Sequence, residues 1–141
     1  MKLGDAITYN ARELGLNGVS VTGTPRNSNP FGADGCNNIA INYKYVRSAG
    51  TTLSFVLQCS DDNFTTTMNI ATESLNLGAG TIYNLTHSDG DQAASPGNQT
   101  KTLFYPIMGI TGRNYRIGSI TCTSGGASDL FTATVDVGLM P

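Results

Sequence analysis

A chain of 141 residues with a net charge of −2 has the size of one domain. Charged residues make up only 13% of it, against about 25% in ordinary soluble domains. The basic residues are scattered, which excludes the clustered Lys and Arg that a nucleic-acid surface requires, and no run approaches the ~20 apolar residues of a membrane-spanning helix.

The first segment, MKLGDAITYNARELGL, has one early lysine and no continuous apolar stretch, so it does not read as a secretory signal. Leu3, Ile7, Tyr9, Leu14 and Leu16 are mixed with Asp5, Arg12 and Glu13. Its one helical candidate, Asn10–Leu16, is too short to stand alone. Residues 1–16 are therefore expected to form an arm outside a single sandwich domain of residues 17–141, with Leu3, Ile7, Tyr9 and Leu14 touching a neighbour rather than their own core.

From there the dominant signal has period two, the mark of strands with one buried face. GVSVT at 18–22 is a weak strand. GTPRNSNPFGADGCNN at 23–38 is a long polar loop carrying Phe31. In IAINYKYVR (39–47), Ile39, Ile41, Tyr43 and Tyr45 share a face; in LSFVLQC (53–59), Leu53, Phe55, Leu57 and Cys59 do. Weaker strands follow at 66–71 and 80–86, then a second long loop at 87–100. In LFYPIM (103–108), Leu103, Tyr105 and Ile107 align, and Pro106, lacking an N–H, predicts an edge strand or a bulge. NYRIGSITCT (114–123) and DLFTATVDVGL (129–139) complete about eight strands, separated by Gly-, Asn- and Ser-rich turns. Eight short strands with regular turns predict an all-β sandwich or jelly roll of antiparallel strands. Its exposed edge around Leu103–Met108, with Leu103 and Tyr105, and the two long loops 23–38 and 87–100 are the expected contact surfaces.

The polar clusters read as structure rather than chemistry. In CSDDN (59–63), Asp61 and Asp62 are adjacent, so in extended chain they diverge; a catalytic carboxylate pair must converge. The stretch reads as a turn. HSDGDQ (87–92) offers His87, Asp89 and Asp91, but the spacing fits no calcium loop. Cys36, Cys59 and Cys122 form neither a CxxC pair nor an even set, and read as reduced thiols of a protein made in a cytoplasm. There is no GxSxG, and the single histidine has no evident nucleophile partner. Neither catalysis nor a cofactor nor a metal is expected.

The order of features has a relative. A polar N-terminal segment and an alternating strand lead to AGTTLSFVLQCSDDNFTT; after a long connection come RNYRIGSITCT, a Gly-Gly loop and DLFTATVDVGL. Over residues 37–141 this resembles the jelly-roll cement, or decoration, proteins of tailed bacteriophages. The resemblance implies a non-enzymatic structural virion protein, made in the bacterial cytoplasm, on the outer capsid surface. It would bridge subunits of the phage major capsid protein and associate as a homodimer or, alternatively, a homotrimer, with no direct contact to nucleic acid or membrane. The competing expectations are a carbohydrate- or host-binding sandwich and a tail or connector protein.

Overall fold

The computed structural model describes residues 6–76 and 99–140. Eight strands fall within them: β1 (Ile7–Tyr9), β2 (Phe31–Gly32), β3 (Asn38–Val46), β4 (Thr52–Ser60), β5 (Met68–Asn76), β6 (Gln99–Pro106), β7 (Asn114–Thr123) and β8 (Leu130–Gly138), with one short helix, α1 (Ala11–Leu14). They form two four-stranded antiparallel sheets, ordered β1-β8-β3-β6 and β2-β7-β4-β5.

That order is a jelly roll. First pairs with last, second with seventh, third with sixth and fourth with fifth, as if one long antiparallel ribbon had been rolled up. Rolling then brings β3 beside β8 and β4 beside β7. The alternation explains the core. Ile39, Ile41, Tyr43 and Tyr45 of β3, with Phe131, Val135 and Val137 of β8 beside them in the same sheet, share one core with Leu53, Phe55 and Leu57 of β4. Tyr43, Phe55 and Phe131 form an aromatic centre with ring separations of 5.8–6.1 Å, in the range where such pairs are attractive.

In β7 the buried face switches from Tyr115 and Ile117 to Ile120 and Cys122. The register against β4 slips between Ser54 and Val56, and Ser119 takes a left-handed φ of 52°. This bulge re-aims Ile120 inward. A Cβ at Gly118 would displace the Gln58 side-chain amide, which packs over it.

Three expectations need correction. Residues 7–16 are not a detached arm. β1 is the edge strand beside β8, and Leu14 and Leu16 are fully buried. The single helical turn holds because Asn10 and Glu13 cap each other reciprocally, Gly15 closes the end at φ 69°, and Leu14 buries its side chain. Tertiary burial thus supplies what the short helix lacks on its own. Second, residues 18–22 form no strand; Val19 makes one isolated bridge to Phe131, and Val21 enters the core. Third, the 23–38 loop contains β2, whose Phe31 is buried against Tyr9 and Tyr115. Pro106 closes β6, which pairs with β3 alone among the described strands, so its edge position is as expected. The expected strand at 80–86 and most of the 87–100 loop lie outside the described residues.

Candidate functional site: an apolar end of the sandwich

Strand register gathers particular termini at one end of the molecule. In the first sheet Ile7 lies opposite Val137, and Asn38 opposite both Gly138 and Pro106. In the second, Asn114 lies opposite Gly32 and Ser60, and Cys59 opposite Met68. The connection 107–113 joins the sheets at this end. It is tied to the loop before β3 by Ile107 N–H to Asn37 O, Gly109 N–H to Cys36 O and Gly35 N–H to Gly109 O, all 2.9–3.0 Å. Gly109 sits so close to the backbone of Ala33 and Cys36 that a Cβ could not be placed.

Six large apolar side chains are exposed among the described residues, and five of them, Ile7, Met68, Met108, Ile110 and Leu139, belong to this end. Met108 is the most open, at 74%. Single exposed apolar residues are ordinary; a group gathered at one end makes that end the candidate contact surface. Two clefts flank Arg113. One, of about 190 Å³, is lined by Cys59, Ser60, Asp61, Asp62, Thr66, Met68 and Arg113. The other, of about 360 Å³, lies between the sheets and involves Ile7, Tyr9, Asp34 and Arg113.

The CSDDN stretch is the β4–β5 turn. Ser60 Oγ donates to Asp62 Oδ1 at 2.6 Å and accepts from the Phe64 amide, while the Thr66 amide donates to Asp62 Oδ1. These bonds, the Ser60 hydroxyl foremost, hold the Asp62 carboxyl below its ordinary pKa. Asn63 and Phe64 both take left-handed φ values near 60°, uncommon for non-glycine residues and held here by those bonds. Asp61 receives two hydrogen bonds from Arg113, at 2.8 and 3.0 Å. This bidentate contact also lowers its pKa. Arg116 lies 4.2 Å from the centre of the Phe64 ring and donates to Gln58. The two stretches that carry the phage resemblance, LQCSDDNFT and RNYR, are therefore bound to each other. Their charged residues brace a turn.

Of the contact residues expected from sequence, Ile7 is exposed at this end and Tyr9 is half-buried, its hydroxyl bonded to Gly32 O. Leu14, Phe31, Leu103 and Tyr105 are corrected: all four are core residues that offer no surface to a partner. Strand alternation or helix packing turns each of them inward. Leu3 lies outside the described residues, as do His87, Asp89 and Asp91. Met108 ends the Leu103–Met108 edge expected as a contact surface, and it is exposed. The residues missed were Met68, Ile110 and Leu139; the signal for Ile110 was present, since MGITG sets it between two glycines after a strand-ending proline.

The opposite end carries a buried anchor. Asp129 is inaccessible, and its carboxylate accepts from the amides of Ser48, Ala49 and Gly50 at 2.7–2.8 Å and from Tyr45 Oη at 3.1 Å. Burial works to raise its pKa, but the three amides and the phenol together outweigh it, and the net shift is downward. The site holds the β3–β4 turn closed.

No protein-family model matches this sequence, and no curated protein is similar to it. Among solved structures, the K1 cleaved adhesin domain of Lys-gingipain from Porphyromonas gingivalis W83 is similar with a TM-score of 0.41 at 10% identity, over 96% of this chain and 84% of that one. A pentameric capsid protein isolated from metagenomic phage sequences is similar with a TM-score of 0.29 at 11% identity, over 94% of this chain and 58% of that one. The chain is a β-sandwich module with distant structural similarity to both.

Proposed function

We propose that this protein is a capsid decoration protein of a tailed bacteriophage, seated on the outer surface of the shell through the apolar end and bridging major capsid protein subunits. The observation that carries the reading is the convergence of Ile7, Met68, Met108, Ile110 and Leu139 on one end of a rigid jelly roll. The sequence resemblance names the partner. Low charge permits dense arrays of copies, and repeated engagement on a symmetric shell adds avidity to modest individual contacts. The glycan-binding alternative has less support. No described aromatic side chain is exposed, so the described surface offers no stacking platform for a sugar.

The test uses shells assembled from a major capsid protein encoded beside this chain. Purified protein should co-sediment with them and raise their melting temperature. Met108→Lys/Ile110→Lys should abolish binding while leaving the protein's own melting unchanged, because both side chains are solvent-exposed. Shells that melt identically with and without bound protein would move the assignment to host-surface binding.

A further inference from the structure

Four strands lie at the edges of the two sheets, and they are unequally protected. β1 has three residues and β2 two, too short to template another chain. β6 carries Lys101 and ends in Pro106, the usual devices that discourage pairing. β5 is different. It runs nine residues, MNIATESLN, contains neither Lys nor Pro, and pairs only with β4 among the described strands. Its single charge, Glu73, is turned inward and receives a 3.0 Å hydrogen bond from the buried Tyr105 hydroxyl. Every second amide and carbonyl of such a strand points away from its neighbour. The slip in register at Leu57/Gln58 affects only the start of β5; from Ala71 to Leu75 the pairing with β4 is regular.

We infer that β5 is a homodimer interface, pairing antiparallel with β5 of a second copy across a two-fold axis and joining the two second sheets into one eight-stranded sheet. The choice of a second copy follows from charge. A two-fold contact sets each patch against itself, so any exposed charge on the strand would meet its like. Thr72 and Ser74, which turn away from the core, are neutral, as are Asn69 and the exposed Ile70. Among the described residues, the strand best suited to self-pairing is therefore also the one left unguarded. This inference does not depend on the capsid reading. Met68 stands at the end of the paired strand, outside its regular Ala71–Leu75 stretch, and the dimer leaves Ile7, the 107–113 connection and Leu139 free, so both can hold on one particle.

The experiment uses the purified full chain. Sedimentation velocity across the micromolar range should give twice the 14.8 kDa chain mass. Thr72→Lys/Ser74→Lys sets lysines against lysines across the axis and should weaken the dimer by about tenfold or more, whereas Thr102→Lys on β6 should not. In a Cys36→Ser background, a nitroxide on Thr72→Cys should show spin–spin broadening between subunits; one on Thr102→Cys should show none. A wild-type monomer throughout the range overturns the proposal. So does a dimer unchanged by the β5 lysines, or broadening at β6 instead of β5.

Discussion

Replacing Asp129 with alanine removes the acceptor for four donors, and the cost follows from where those donors lie. Ser48 and Ala49 are exposed, so their amides turn to water when the carboxylate is gone. Gly50 and Tyr45 are buried; the Gly50 N–H would be left without a partner, and the Tyr45 O–H with only the weakly accepting Cys122 thiol. An unsatisfied buried donor costs about 1–3 kcal/mol, so one unsatisfied and one barely satisfied place the loss near 4 kcal/mol. At roughly 3 °C per kcal/mol for a chain of this length, melting should fall by about 12 °C. Asp129→Asn should cost much less, about 1–2 kcal/mol. Its carbonyl oxygen can serve the buried pair while its NH2 group faces the two amides that water can reach. The pH dependence has a defined sign. The folded carboxyl has a lowered pKa, so its contribution is fully present above the ordinary carboxylate value near 3.9 and is lost as pH falls through the folded one. The wild-type advantage over Asp129→Ala should therefore shrink only below about pH 4. Urea unfolding from pH 3 to pH 7 measures both effects. An alanine variant within about 0.5 kcal/mol of wild type, the range of ordinary surface substitutions, would refute the reasoning, as would an asparagine variant as damaging as alanine.

Deleting residues 2–12 should lower the melting temperature of the isolated protein, because it removes β1, the Asn10 cap and the first half of α1; Leu14→Ala alone should cost about 2–5 kcal/mol in denaturant unfolding, the range for emptying a fully buried leucine site. A thiol reagent should titrate Cys36 quickly in the native protein, and Cys59 and Cys122 only on unfolding, since burial hides both thiols and pushes their pKa values up. Arg113→Lys, which loses the paired contact, should raise the Asp61 carboxyl pKa in an NMR titration and speed amide exchange at Phe64 and Thr66, with little change in melting.

Periodicity alone was sufficient for the sandwich, because side chains in a strand alternate by geometry. The inward sets of β3, β4 and β8 could be written down from Ile39–Tyr45, Leu53–Cys59 and Phe131–Leu139, except that Leu139, past the strand end, is exposed, and Pro106 announced an edge. The double aspartate was legible as a turn because Ser, Asp and Asn bond their own backbone. Three things were decided by tertiary structure. The N-terminal segment joins the sheet because β8 offers it a partner 128 residues away, from Thr8 to Asp136; no local pattern in a three-residue strand encodes that. Asp129 looked like one polar residue at a strand start, and became an anchor only when rolling the ribbon brought residues 48–50 around it. The apolar end exists because eight separate strand termini meet there: the sequence supplied Ile7, Met68, Met108, Ile110 and Leu139 at scattered positions, and only the order of strands in the two sheets brought them to one end.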